Sequence, residues 1–450
     1  MSTPGPTARQ AVRVIASIPR DPLNAHVTLA ARYGDAVRLP VGRGKSNYLF
    51  SRPEHAEHVL ALKQDNYVKA LTYRPLRALI GNGLLTTEGE EWRRHRRLIQ
   101  PLFSRRDVAR FGPAMSEGAQ RMLSGWDEQP AGTVLDVAAS MRGLALDIVG
   151  RALFGADMTA DAEIMGRAID AGQKVAVLAT FVPISWGPRA ARTLRVVARR
   201  VGRTPEGVEG PVARLIADRR SRPAATGDLL DLLLTARAED GSRLTDEEIA
   251  AEVSTFMLAG HETSANTMAW SLALLSAFPS ARERLEQEVD SVLGGRPPGP
   301  DDVGKLSWTA AVVAEALRLY PPAWTIERMA RADDSVAGVP VPAGSQVSIS
   351  TYLVHRHPEF WPDPAGFDPG RFLTGTAGSA ERPRYSYIPF GGGRRACVGQ
   401  SFAELETVLV IASIGQRFRL ELTARGIPAP AANVTLRPGR GLPMRLLRRA

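Results

Sequence analysis

The chain has 450 residues, 44% of them hydrophobic and 23% charged, a composition that excludes an intrinsically disordered protein. Its single cysteine excludes a disulfide framework, and its formal net charge of +10 comes from scattered arginines without a nucleic-acid-binding motif. No stretch reaches the ~20 apolar residues of a membrane-spanning helix, and the N-terminus lacks a secretory signal pattern. We therefore expect a cytoplasmic protein with no membrane anchor and no nucleic-acid partner.

The N-terminal part of the chain mixes short helices and strands. Apolar periodicity and turn residues predict helices at 23–32 and 53–62, with strands at 36–40 and 47–51 between them. Residues 66–88 have no clear period and contain Gly81-Asn82-Gly83, so they are predicted to form a long loop. Long loops in compact folds tend to be functional.

From about residue 88 the chain is mostly helical. We predict helices at about 88–100, 104–124, 134–154, 160–178, 188–201, 206–221, 246–278, 280–293, 307–320 and 398–416. In the longest, at 246–278, Thr245 and Glu248 form a capping box at the start and Pro279 marks the end. The middle of this helix is almost continuously apolar or small, which indicates a buried helix.

The chain shows no internal repeat, no low-complexity linker and no break in composition. Residues 355–396 are rich in loops and prolines. These features predict a mainly α protein with a small β part, folded as a single domain over residues 1–450. The strand-rich part is expected from about 34–52, 324–352 and 418–449, and the helical part from about 53–320 and 398–417.

The only cysteine, Cys397, lies in the segment Phe-Gly-Gly-Gly-Arg-Arg-Ala-Cys-Val-Gly at 390–399. Without context, a lone cysteine is most often a small buried hydrophobe. Here two arginines precede it and a predicted helix begins just after it, features that lower a thiol pKa and favour the thiolate. One cysteine alone cannot hold zinc or an iron–sulfur cluster, but it can hold haem iron, because the porphyrin supplies four ligands.

The pattern Phe390-x-x-Gly393-x-Arg395-x-Cys397-x-Gly399 resembles the haem-binding signature of cytochromes P-450, with every fixed position filled. The resemblance implies the cytochrome P-450 fold, a single large triangular helical unit that encloses haem b. It also implies that Cys397 is the proximal iron ligand, that Phe390 packs near the sulfur and that Arg395 pairs with a haem propionate.

Two further segments resemble the same family in the expected chain order. Glu315-Ala-Leu-Arg318 resembles its Glu-x-x-Arg pair, and Arg371 resembles the third member of that structural group; a routine surface ion pair is the alternative interpretation. Ala259-Gly-His-Glu262-Thr263 resembles the oxygen-activation segment. A threonine hydroxyl can bond to the carbonyl four residues earlier, and the resemblance implies that Thr263 and Glu262 deliver protons during O2 activation, with Ala259 beside the cofactor.

The segment Trp92-Arg-Arg-His-Arg96 resembles the haem-contacting helix of the family. Trp92 and Arg96 share a helix face and are expected to reach a propionate, as is Arg328. The arginines at 93, 94 and 97 would then point elsewhere and contribute to a basic face for an electron donor. A solvated basic helix is the alternative interpretation of this segment.

The resemblance implies a monooxygenase that inserts one atom of O2 into a C–H bond or an alkene, in a reaction such as natural-product tailoring. The chain has neither a flavin domain nor a cysteine set for an iron–sulfur cluster, so NAD(P)H-derived electrons are expected from a separate ferredoxin or flavodoxin that docks on a basic proximal face of a monomer. Mostly apolar candidate residues favour a terpenoid, polyketide or fatty acyl substrate. These residues are Tyr73, Leu76, Leu84, Phe181, Val182, Ala259, Trp324 and Ile326.

Two other functions remain open at this level. A haem-thiolate protein can also be a carrier, or a peroxide-driven or isomerising enzyme. More remotely, His261-Glu262 begins like the zinc-hydrolase motif His-Glu-x-x-His, but Ala265 replaces the second histidine. The pair His355-x-His357 has no evident third ligand.

Overall fold

The computed structural model describes residues 3–18, 20–42, 45–158, 209–222, 227–237, 241–373 and 382–449. The helices predicted at 160–178 and 188–201 lie outside these residues. The described helices are α1 Ala8–Ser17, α2 Pro22–Tyr33, α3 Pro53–Glu57, α4 Tyr73–Ile80, α5 Gly89–Ile99, α6 Arg105–Val108, α7 Gly112–Asp127, α8 Val137–Phe154, α9 Glu209–Ser221, α10 Leu229–Thr235, α11 Asp246–Ala277, α12 Pro279–Leu293, α13 Ser307–Leu319, α14 Thr351–Val354 and α15 Gln400–Arg417.

Helix α11 has both ends where the sequence places them. The Thr245 hydroxyl accepts the Glu248 backbone N–H, and the Glu248 carboxylate accepts the Thr245 N–H, which completes the capping box. Most of the helix is buried, and it packs against α8, α13 and α15. The main hydrophobic core therefore surrounds α11.

The largest sheet joins distant parts of the chain. The strands are β1 Ala36–Gly42, β2 Lys45–Phe50, β3 Tyr67–Lys69, β4 Val134–Asp136, β5 Ile326–Ala330, β6 Asp334–Val336, β7 Val339–Val341, β8 Gln346–Ile349, β9 Phe418–Leu422, β10 Pro430–Ala432, β11 Leu436–Pro438 and β12 Pro443–Arg448. Five of them form a sheet in the order β1-β2-β8-β5-β3, in which β2 and β8 are parallel. A second sheet has the order β4-β12-β9, and β10 pairs with β11 in a hairpin.

The prediction of a mainly α fold with a small β part is confirmed. The prediction of a continuous loop at 66–88 is wrong, because β3 and α4 lie within it. These two elements are too short to give a clear periodic pattern in the sequence, and β3 forms by pairing with the distant strand β5. Helices α1 and α10 were also missed, and the helix predicted at 53–62 continues beyond α3 as a π-helical turn over His58–Leu62.

Among the described residues, every helix is too short or too polar to cross a lipid bilayer.

Candidate active site

Cys397 lies in a tight loop that ends at the start of α15. The Cys397 backbone N–H donates to the Phe390 carbonyl oxygen at 2.9 Å and closes this loop. Gly393 has φ +66°, and a Cβ on it would lie 1.9 Å from the Leu60 carbonyl oxygen. Only glycine fits there, because both the backbone angle and the close approach exclude a side chain.

Cys397 is exposed, although the surrounding protein removes much of the bulk water from its thiol. Burial raises the pKa of the free thiol, and the Gly399 backbone N–H and the Arg96 charge lower it only in part. The expectation of a lowered thiol pKa is therefore wrong for the free thiol, because helix and arginine charges are local effects and burial is set by the whole fold. Coordination to a metal ion would remove the thiol proton outright.

A fully buried ion pair stands behind this loop. Arg318 Nε and Nη2 each donate to a Glu315 carboxylate oxygen at 2.7 Å, and both side chains have an exposure of 0%. The remaining Arg318 donors reach the backbone carbonyls of His355, Pro364 and Gly366. Arg371 Nε lies 3.4 Å from the same carboxylate. The structure thus brings Glu315, Arg318 and Arg371 together, with the hydrogen bonds that a buried pair needs.

His355 connects this pair to the cysteine loop, a role that the sequence did not reveal. Its Nδ1–H donates to the Arg318 carbonyl oxygen at 3.2 Å, and its Nε2 accepts the Ile388 backbone N–H at 2.7 Å. Burial lowers the pKa of His355 to about 3, so the imidazole is neutral. His357 Nε2 instead lies 3.2 Å from an Asp35 oxygen, so the two histidines do not form a metal site together.

Helix α5 brings Trp92 and Arg96 to the cysteine loop. Arg96 Nη1 donates to the Ala396 carbonyl oxygen at 2.9 Å, directly before the cysteine. The Arg395 guanidinium lies 4.4 Å from the centre of the Trp92 ring and pairs with the Glu88 carboxylate. Trp92, Arg96 and Arg395 therefore lie on one side of the loop.

A second group of cations lies beside Arg395. Lys69 on β3 and Arg328 on β5 are direct partners across the antiparallel strands, and Arg328 is buried. Burial and the charges of Arg328 and Arg395 hold the pKa of Lys69 well below its usual value, and the attraction of Glu88 offsets this only in part. Like charges placed opposite each other destabilise a sheet unless an anion lies between them. Lys69 was missed because its segment was interpreted as a loop.

The middle of α11 carries the acid and alcohol side chains singled out from the sequence. The Thr263 hydroxyl donates to the Ala259 carbonyl oxygen at 2.6 Å, as a threonine in a helix interior can. Glu262 is buried, and one of its carboxylate oxygens accepts the Thr435 hydroxyl at 2.7 Å. Residues 258–260 and Thr263 are only partly buried, whereas the residues on either side of this stretch of α11 are buried, so Ala259 and Thr263 border accessible space.

Gly260 has a packing role in the same turn. A Cβ on Gly260 would lie 3.0 Å from a Val149 methyl group, so glycine permits the close approach of α8.

A family model for cytochrome P-450 matches residues 4–442 of the chain. The chain belongs to the cytochrome P-450 family. It is 34% identical over 432 residues to pentalenene oxygenase of Streptomyces avermitilis, covering 96% of this chain and 94% of the relative. It is also 34% identical to two proteins of Streptomyces melanosporofaciens. These are cyclooctat-9-en-7-ol 5-monooxygenase (89% of this chain, 85% of the relative) and cyclooctatin synthase (95% and 91%). As a cytochrome P-450, the chain is a haem-thiolate monooxygenase that carries out O2-dependent oxidation.

The residues of this cytochrome P-450 fit haem as the cofactor. The exposed Cys397 sulfur is a soft donor of the kind that holds haem iron. Lys69 and Arg395 both interact with the Glu88 carboxylate, and Arg328 lies opposite Lys69, so the excess positive charge of these three cations suits the two propionates of haem. The family implies a lipophilic substrate and a redox partner.

The candidate substrate residues of this cytochrome P-450 lie in different parts of the structure. Tyr73 and Leu76 are on α4, and Leu84 belongs to the main core. Trp324 lies in a small cluster under the β10–β11 hairpin, and its indole N–H donates to the Asn433 carbonyl oxygen. Ile326 is buried on β5, and Phe181 and Val182 lie outside the described residues.

Proposed function

We propose that this cytochrome P-450 inserts one oxygen atom from O2 into a cyclic terpenoid hydrocarbon or alcohol. One arrangement carries the proposal: the accessible Cys397, the partly exposed Thr263 in the middle of α11, and the buried Glu262 directly before it. At haem, a thiolate ligand favours cleavage of the O–O bond, and an acid next to an alcohol can supply the protons that this cleavage consumes. A carrier would need only the ligand, so the pair favours monooxygenation over a binding role.

In this mechanism the cofactor, when bound, supplies the iron at which O2 is reduced and its O–O bond is broken, with electron donation from the thiolate. The protein contributes position, charge and protons. Lys69, Arg328 and Arg395 would hold the propionates, with Trp92 and Arg96 beside them. Glu262 takes up protons in a buried position. The Thr263 hydroxyl, which rests on the Ala259 carbonyl, passes a proton onward by turning its hydrogen to the proton acceptor while its oxygen takes up another proton.

Substitution of the sulfur tests the ligand assignment. Cys397→Ser replaces the sulfur by an oxygen in a side chain of similar shape, and we expect it to abolish the red-shifted absorption of the reduced carbon monoxide complex. Ser401→Ala, at the second residue of α15, is the matched control and is expected to keep that absorption. A Cys397→Ser protein with an unchanged carbon monoxide spectrum would overturn the proposal.

The substrate class rests on two observations. The described candidate residues Leu76, Leu84 and Ile326 are apolar, and relatives at 34% identity are named for pentalenene and cyclooctat-9-en-7-ol oxidation. The test is a titration of the haem absorption spectrum with cyclic terpenes and with linear fatty acids of equal carbon number. We expect the cyclic compounds to bind at least tenfold more tightly, and the reverse order would reject the terpenoid assignment.

The electron donor is proposed to be a separate ferredoxin or flavodoxin that carries NAD(P)H-derived electrons. Arg93 and Arg394 lie on either side of Asp65, and Arg97 is exposed one turn further along α5; we call these three arginines the proximal basic patch. Arg94 is not part of it, because its guanidinium pairs with Glu248 at the start of α11. Acidic donors bind such a patch by electrostatic steering.

Charge reversal tests the proximal basic patch. We expect Arg394→Glu to lower the rate of electron transfer from an acidic ferredoxin by about tenfold at low salt, with a smaller effect at high salt. Arg425→Glu, at an exposed position in the turn after β9, has the same net charge and should have little effect. An equal loss in both variants would remove the patch from partner binding.

We also propose that the chain works as a single-domain cytoplasmic monomer. The pairing of β2 with β8 supports one domain, because it ties the N-terminal strands to residues 346–349. Sedimentation at micromolar concentration tests the monomer, and a stable dimer would reject it.

A further inference from the structure

We propose that Thr435 is a positioning residue, whose hydroxyl holds the Glu262 carboxylate in the orientation from which it moves protons. This inference rests on the proposed role of Glu262 in proton delivery. Thr435 lies in the turn between β10 and β11, and 173 positions separate it from Glu262 along the chain. No sequence motif connects the two residues.

The directions of two hydrogen bonds fix the orientation of the Thr435 hydroxyl. Asn266 Nδ2 donates to Thr435 Oγ1 at 3.2 Å, and Thr435 Oγ1 donates to Glu262 Oε1 at 2.7 Å. A hydroxyl has one hydrogen, so a hydroxyl that accepts from the Asn266 amide presents that hydrogen to the carboxylate. Asn266 is one turn beyond Glu262 on α11 and therefore lies on the same helix face. All three side chains are buried.

The turn that carries Thr435 is itself fixed. Trp270 Nε1 donates to the Leu436 carbonyl oxygen at 3.3 Å, which attaches β11 to α11. The Leu436 N–H donates to the Pro322 carbonyl oxygen at 3.0 Å, and the Trp324 indole donates to the Asn433 carbonyl oxygen at 3.0 Å. The hydroxyl is thus held by a rigid hairpin, and small displacements of a group that transfers protons have large effects on rate.

The consequence concerns how O2 is consumed. Two electrons and two protons convert O2 to hydrogen peroxide, and four electrons and four protons convert it to two waters. Misplaced proton donors favour the first route. If Thr435 positions Glu262, loss of its hydroxyl should raise the share of O2 released as hydrogen peroxide, and serine, which keeps the hydroxyl, should restore the original share.

The experiment measures NADPH, O2 and hydrogen peroxide during turnover of the haem-loaded enzyme without substrate, with an excess of ferredoxin and its reductase. We expect Thr435→Val to raise the peroxide share at least threefold, Thr435→Ser to match the parent enzyme and Asn266→Ala to give an intermediate value. Thr407→Val removes another buried, hydrogen-bonded hydroxyl, from α15, and should leave the share unchanged.

Comparison with Glu262→Gln separates this inference from the proposed function. An effect of Glu262→Gln without an effect of Thr435→Val would overturn the inference and leave the function standing. An ineffective Glu262→Gln would remove the acid from proton delivery altogether. If the inference holds, adding Thr435→Val to the Glu262→Gln variant does not change its peroxide share further. Additive increases in the peroxide share would instead show that Thr435 has a separate role. Should Thr435→Val fail to fold, Asn266→Ala and Thr435→Ser still test the inference.

Discussion

His355 and Ile388 are joined by a hydrogen bond of 2.7 Å in which the buried imidazole accepts the backbone N–H. Ile388 is two residues before Phe390, whose carbonyl accepts the Cys397 N–H. The opposite nitrogen of His355 donates to the Arg318 carbonyl. A chain of hydrogen bonds therefore runs from the buried ion pair to the cysteine loop, and it depends on a neutral imidazole.

We expect His355→Gln to lower the free energy of unfolding by about 1–3 kcal/mol at pH 7, because buried backbone groups lose their partners. The pKa of His355 is about 3 in the folded protein and ordinarily 6.5, so its contribution is present above pH 6.5 and is lost as the pH falls toward 3. The difference between the two proteins should therefore shrink between pH 7 and pH 4.5. Denaturant unfolding at both pH values measures it, and a constant difference contradicts the prediction.

Glu406 makes the stability of the folded protein depend on pH in the opposite direction from His355. Burial raises the pKa of this α15 carboxyl to about 8, against the lowering effect of the Ser264 hydroxyl, so it is protonated at neutral pH. Its contribution to stability is complete below about pH 4.5 and is lost as the pH rises through 8. We expect Glu406→Gln to gain stability relative to the parent by up to about 1 kcal/mol per pH unit across this window. Melting temperatures from pH 5 to 8 test this, and parallel curves would reject a buried titrating carboxyl.

Lys69→Met should have opposite effects on the protein with and without cofactor. Without haem, the variant is expected to be more stable, since a half-buried cation no longer opposes Arg328 across the strands. With haem, it should lose the cofactor about five to ten times faster to a haem-scavenging protein, because one propionate partner is missing. Lys63→Met, at an exposed site before β3, is the control. Equal haem loss in both variants would exclude Lys69 from propionate binding.

Thr263→Ala is expected to keep haem binding intact and to release more of the reducing equivalents as hydrogen peroxide, because the hydroxyl that passes protons is gone. Thr267→Ala is a close control, since its hydroxyl makes the same kind of bond, to the Thr263 carbonyl at 2.8 Å, one turn further along α11. Product and peroxide per NADPH measure the coupling. Fully coupled turnover of Thr263→Ala would remove this residue from the mechanism.

The sequence alone predicted correctly those features that depend on residues close together in the chain. The bounds of α11 follow from a capping box and a proline, both of which act within a few residues. The motif around Cys397 and the Glu315–Arg318 spacing likewise depend on adjacent positions. Because these features are local, the sequence alone was enough to indicate the family.

Features made by distant pairing were missed. Lys69 faces Arg328 only because β3 pairs with β5, and His355 reaches Ile388 only through the fold of the intervening loop. The Cys397 thiol pKa was predicted in the wrong direction, because the burial that raises it comes from many segments at once. Arg94 was expected at the surface but turns toward Glu248, which no spacing rule reveals.

The parallel pairing of β2 with β8 has a consequence for biosynthesis. The edge of β2 meets its partner only after ~300 further residues have emerged from the ribosome, since Phe50 pairs with Ile349. Until then the unpaired edge of β2 can form hydrogen bonds with strands of other chains, which promotes aggregation. We therefore expect yields in heterologous expression to depend on slow translation, low temperature and chaperones, and a truncated chain that ends before β8 to accumulate as aggregates.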